Sequence, residues 1–129
     1  MSVNYIVTGR RNPSDENSPI KYYAQVKSKG ELTFKELGRE MSEISSTVSD
    51  TDAIAVLNDL LKIIRRHLSE GKIVRLGDFG SFRLSVRSDG AISEDAFHAG
   101  YIRSAKILFT PGEDLRAMIR NLKYIKNSK

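Results

Sequence analysis

From Gly80 to Arg87 the chain reads Gly-Ser-Phe-Arg-Leu-Ser-Val-Arg. Phe82, Leu84 and Val86 alternate with Ser81, Arg83, Ser85 and Arg87, the two-residue period of a strand with one apolar and one polar face. The polar face holds hydroxyls and guanidinium groups and no carboxylate, which suits it to phosphate oxygens. Arg103 and Lys106 stand on a further predicted strand, residues 101 to 109, that can return beside the first. Arg75, on the short strand before it, adds another cation. This is the chemistry of anion binding. Catalysis is a poorer fit: the chain has no cysteine, and His67 and His98 lack partners at metal-ligand spacing. No nucleophile, base and orienting group can be assembled around the serines. The sequence therefore predicts no enzyme, no metal, no cofactor and no small-molecule substrate.

The elements that must position these residues are legible from their boundaries. Residues 3 to 8 and 20 to 27 are β-branched and aromatic and read as two strands. Between them, residues 9 to 19 are dense in turn formers. A first helix begins after Thr33, with Glu36 at the reciprocal capping position and Leu32 and Leu37 as a hydrophobic staple. Phe34, Leu37, Met41 and Ile44 give it one apolar stripe. A second helix begins near Ser49, with Asp52 three residues on, and runs to Gly71. Ala53, Val56, Leu57, Leu60 and Ile64 form its main stripe, and Ile54, Leu61 and Leu68 widen it beyond half the circumference. One small subunit cannot cover that much apolar surface, so a second copy of the chain is the expected partner. Thr110-Pro-Gly-Glu113 reads as the start of a last helix, with Thr110 as cap and a stripe from Leu115 through Met118, Ile119 and Leu122 to Ile125.

With 129 residues, 40% hydrophobic and 29% charged, the chain fits one soluble globular unit, and it has no apolar run of membrane-spanning length. Its opening residues do not read as a secretory signal, so a cytoplasmic location and no membrane partner are expected. The net charge of +5 is segregated: residues 1 to 30 carry +3, 31 to 61 carry −5, 62 to 87 carry +5, 88 to 100 carry −3 and 101 to 129 carry +5. Such blocks favour one basic face directed at a polyanion over an even, merely solubilising scatter.

The order helix, helix, hairpin, strand, short helix, together with Gly77-Asp-Phe-Gly-Ser-Phe82 and Phe109-Thr-Pro-Gly-Glu-Asp-Leu115, closely resembles the bacterial histone-like proteins of the HU and integration host factor family. That family's patterns are Gly-x-Phe-Gly-x-Phe in the hairpin and Phe-x-Pro-Gly-x-x-Leu at the last helix, and both are met. The resemblance spans roughly residues 31 to 125. It divides the chain into an N-terminal β extension, residues 1 to 30, and an HU-like domain, residues 31 to 129; some bacterial branches carry a similar extension.

The resemblance implies an α+β fold in an intertwined homodimer, with a two-helix body, a three-stranded sheet whose arm enters the minor groove of double-stranded DNA, and a nucleoid location. It implies architectural binding by charge and deformability. The family's two arm arginines fall on Ser85 and Arg87, its serine on Ser104, and the lysine before Pro-Gly on Thr110. With Gly80, whose backbone could approach phosphates closely, the expected DNA-binding set is Arg75, Gly80, Ser81, Arg83, Ser85, Arg87, Arg103, Ser104 and Lys106.

Three departures qualify that expectation. Asp89, Glu94 and Asp95 make the arm tip acidic. Residues 82 to 109 contain no proline wedge, and only Ile92 and Phe97 are large and apolar near the tip. Arg10-Arg11-Asn12-Pro13 is similar to the family's arm-tip Arg-Asn-Pro but falls in a turn between the first two strands, and is read as a turn. The alternative to DNA binding is a dimeric scaffold of the same fold that has lost DNA affinity and pairs protein strands through its N-terminal edge.

Overall fold

A computed structural model describes residues 2–127. The described chain is α+β, with three α-helices and two three-stranded sheets. It divides into two compact units, one drawn from residues 1–33 and 118–129 and the other Phe34–Ala117.

The first unit is a sheet ordered β2-β1-β6. β1 (Ser2–Arg10) and β2 (Lys21–Val26) form an antiparallel hairpin, as their alternation requires, from Tyr5 opposite Val26 to Arg10 opposite Lys21. β6 (Lys123–Lys126) lies parallel to the other side of β1, with Val3 opposite Tyr124 and Asn4 opposite Ile125. This corrects the expected end of the last helix. The α-helix α3 covers only Glu113–Arg120; of the residues that helical periodicity assigned to its stripe, Leu122 lies beyond the helix and Ile125 in a strand. Lys123-Tyr-Ile-Lys is too short for periodicity to assign, and its aromatic and β-branched centre favours the sheet once β1 offers an open edge.

In the second unit α1 (Phe34–Ile44) begins directly after Thr33, and α2 (Asp50–Ser69) begins after Ser49, whose hydroxyl accepts the Asp52 amide at 3.1 Å. The two helices pack through Gly38, which is buried; a Cβ there would lie 2.5 Å from Cγ1 of Ile54 and 3.1 Å from the Asp50 carbonyl. β3 (Val74–Leu76), β4 (Gly80–Ser88) and β5 (Ile102–Pro111) follow in the order β3-β4-β5, antiparallel throughout.

The start of α3 also differs from its expected form. Thr110 and Pro111 are strand residues opposite Ser81 and Gly80, and the carbonyl that accepts the first helical bond, from the Arg116 amide at 3.0 Å, belongs to Gly112. Pairing with β4 holds the chain extended through Pro111, one residue past the predicted cap.

Among the described residues only Ala53 (1% exposed) and Leu68 (8%) are buried hydrophobics, whereas Val56 is 60% exposed, Leu61 49% and Ile107 53%. No described helix is long and apolar enough to cross a membrane.

Candidate nucleic-acid interface

Residues directly opposite in an antiparallel pair project from the same side of the sheet. The register sets Arg75 opposite Ser81, Arg83 opposite Leu108, Ser85 opposite Lys106, and Arg87 opposite Ser104. One face of β3-β4-β5 therefore carries Arg75, Ser81, Arg83, Ser85, Arg87, Ser104, Lys106 and Thr110, interrupted only by Leu108. The other carries Phe82, Leu84 and Val86 with Ala105, Ile107 and Phe109. Phe82 and Phe109 pack with ring centroids 4.9 Å apart, anchoring the apolar side at the base of the hairpin.

The cations on the polar face are exposed, and Arg75, Arg83, Arg87 and Lys106 have no ion-pair partner among the described residues. Arg83 and Arg87 recur four residues apart, about 13–14 Å along a strand. Beyond Arg83, an open depression of about 380 Å³ is lined by Ser85, Arg87, Ser104 and Lys106. Unpaired guanidinium and ammonium groups flanked by hydroxyls, on a surface without carboxylates, can receive several phosphates of one backbone.

Two members of the expected set are placed differently. The register slips between Arg87 and Ser88, so that Arg87 faces Ser104 while Ser88 faces Ile102, and Arg103 is the extra residue of a β-bulge. Its Nε and Nη2 both engage the Asp89 carboxylate. Gly80 serves packing: at φ +156° a Cβ would lie 2.6 Å from both the Phe109 ring and the Thr110 carbonyl. Thr110, opposite Ser81, extends the polar face in a way the sequence reading missed. The alternation Ser104, Lys106, Leu108, Thr110 would have found it had the residue not been assigned to a helix cap.

The arm tip, residues 89–101, folds on itself. The Asp89 amide donates to the Tyr101 carbonyl at 2.9 Å, and His98 Nδ1 accepts the Gly100 amide at 3.1 Å. Phe97 stacks on Tyr101 at 5.2 Å, within the tip. Ile92 is fully exposed, at 101%. His67 lies 3.4 Å from Lys72 Nζ and 3.9 Å from the Glu70 carboxylate, at the end of α2.

Over 97% of its length the chain matches the fold of a protein from Bacteroides vulgatus ATCC 8482 provisionally assigned as bacterial DNA-binding, with TM-score 0.67 and 14% identity. It spans 47% of that protein, about half its length. Over 70% of its length it matches Anabaena HU from an HU–DNA cocrystal structure, covering 99% of that chain with TM-score 0.55 and 23% identity. No curated protein matches the sequence. Residues 1–126 match the profile of the HU-HIG family, described as an HU domain fused to wHTH, Ig, or glycine-rich motif. Its two sequence motifs, its hairpin sheet and this match together make the chain a member of the HU-HIG family of bacterial HU-like proteins.

Proposed function

We propose that this protein binds double-stranded DNA as an architectural, largely sequence-nonspecific factor, through the polar face of β3-β4-β5, and does so as an intertwined homodimer in the cytoplasm, at the nucleoid. The observation that carries this reading is the set of unpaired cations Arg75, Arg83, Arg87 and Lys106 on one sheet face, with Ser81, Ser85 and Ser104 between them. In this reading charge and hydroxyls position phosphates and leave sequence preference to DNA deformability. Residues 31–129 form the DNA-binding domain in this reading, residues 1–30 the extension, and no catalysis is assigned.

The dimer is supported by what one subunit leaves uncovered. An open apolar groove of about 370 Å³ runs along Leu61, Ile64, Leu68, Leu84 and Ile107, between α2 and the apolar face of the sheet. With two buried hydrophobic side chains among the described residues, an isolated subunit falls far short of the usual core of a stable domain.

A salt series of gel shifts on unrelated duplexes tests the function. Phosphate binding must weaken steeply as salt rises and vary little with sequence. Absence of any shift at low salt would leave the scaffold alternative, which the acidic Glu94 and Asp95 at the tip and the open edge of β2 favour.

A further inference from the structure

The loop joining β1 and β2 carries charge that the β3-β4-β5 face does not explain. Arg10 and Lys21 are directly opposite at the loop end of the hairpin. Like charges in that position repel and weaken a hairpin unless an anion lies between them. No residue relieves the repulsion, because Arg10, Arg11 and Lys21 make no ion pair among the described residues.

Neither of the loop's two acids answers these cations, and Glu16 makes no ion pair among the described residues. Asp15 Oδ1 accepts the Asn17 amide at 3.0 Å, and its carbonyl accepts the Ser18 hydroxyl at 2.8 Å and amide at 3.2 Å. Asn12 Oδ1 accepts the Ser14 amide at 3.1 Å and hydroxyl at 2.8 Å, so the loop is internally braced. Bracing leaves an open cavity of about 550 Å³, bounded by Arg10, Arg11, Asn12, Pro13, Lys21 and Tyr23, with no carboxylate in its lining. Its size is that of an ordinary ligand site. Tyr23 lies two residues from Lys21 on β2, on the same side of the sheet, so its ring flanks the cations.

We propose that this cavity is a second phosphate cradle for DNA, in which Arg10, Arg11 and Lys21 hold backbone phosphate and the Tyr23 hydroxyl supplies a neutral donor beside them. The proposal rests on the DNA-binding reading above but not on where that reading places the interface. It gives the N-terminal hairpin a task of its own: to extend the backbone contact beyond the β3-β4-β5 face.

The test uses the full chain and a dye-labelled duplex of about 30 base pairs, followed by anisotropy at several salt concentrations, since each phosphate contact contributes about 0.9 to the log–log salt slope. R10Q/R11Q/K21Q is expected to weaken binding tenfold or more at low salt and to flatten the slope by up to about 2.7. R10K/R11K, which keeps the charge, should stay near wild type, and an unchanged melting curve for the triple variant excludes misfolding. Wild-type affinity and slope in the triple variant would overturn the proposal.

R83Q/R87Q separates the two readings. If it leaves binding intact while the triple variant abolishes it, the cradle stands and the sheet-face interface falls. If wild type binds no duplex at any salt, titration with adenosine monophosphate follows, observed on the amide resonances of residues 10 to 23. A response there without one to duplex replaces the DNA cradle with a free-nucleotide site, and silence to both removes the site; either result overturns the proposal.

Discussion

Gly112 lies directly against the carbonyl of Asp78: a Cβ on Gly112 would fall 2.1 Å from that oxygen, which already accepts the Asp114 amide at 3.1 Å. The Gly112 amide in turn donates to the Phe79 carbonyl at 2.8 Å. The two motifs that carry the family resemblance, more than thirty residues apart in sequence, are thus one structural joint in which the turn before β4 is pinned to the start of α3. Any side chain at position 112 must push two backbones apart. Gly112→Ala is expected to destabilise the protein by about 2–3 kcal/mol in urea unfolding, as overpacking against an unyielding neighbour does. Gly90→Ala, where a Cβ would meet nothing within 4 Å, should stay within about 0.5 kcal/mol of wild type. Equal behaviour of the two variants would refute the joint.

A second close approach, Gly38 against Ile54, involves a side chain that can yield. Alanine gains about 1 kcal/mol of helix propensity over glycine, but at 2.5 Å the clash outweighs it. Gly38→Ala should cost about 1–2 kcal/mol net, and the loss should shrink when Ile54 is shortened to Val. A double-mutant cycle showing strict additivity would place the strain elsewhere.

Stability and assembly are expected to be inseparable. With Val56, Leu61 and Ile107 each about half exposed or more in one subunit, the folded form should sediment near twice 14.5 kDa at micromolar concentration, and its melting temperature should rise with protein concentration. Leu60→Asp, on the broad face of α2, should unfold the chain rather than yield a stable monomer. A well-folded 14.5 kDa species at these concentrations defeats the dimer.

Most of what places the candidate interface was legible in the sequence because it rests on local rules. The Ser49–Asp52 cap, the alternation from Ser81 to Arg87 and the alternation of the first two strands each need only neighbouring residues. What was missed depends on pairing at a distance. Lys123-Tyr-Ile-Lys is too short for periodicity to assign, and only the free edge of β1 makes it a strand. Thr110 is a sound helix cap until β4 claims it. The β-bulge at Arg103 leaves no trace in composition, so nothing in the sequence distinguishes its charge from that of Lys106.

That bulge has a measurable consequence for binding. Arg103 is committed to Asp89, whereas Arg83 and Arg87 have no ion-pair partner among the described residues. R83A/R87A should weaken DNA binding uniformly across sequences and flatten the salt slope by about 2. Arg103→Ala should have a smaller effect than Arg87→Ala. Asp89→Asn, which removes a negative charge and frees Arg103, should tighten binding at least twofold. A loss of affinity in Asp89→Asn would mean that the ion pair holds the arm in its binding form.

Bending should be shallow. A deep kink needs an apolar wedge inserted between base pairs, at a cost of a few kcal/mol per unstacked step that extra contacts must offset. The arm from Phe82 to Phe109 has no proline, and Phe97 is occupied in stacking on Tyr101. Ile92, fully exposed, is free to insert, but it shares the tip with Glu94 and Asp95, which the phosphates on either side of the groove repel. The paired carboxylate of Asp89 relieves only part of that repulsion. Energy transfer between dyes at the two ends of a short duplex should therefore change little on saturation, and Ile92→Ala and Phe97→Ala should leave it unchanged. A large approach of the ends that Ile92→Ala abolishes would show that the tip enters the groove and that its charge does not keep it out.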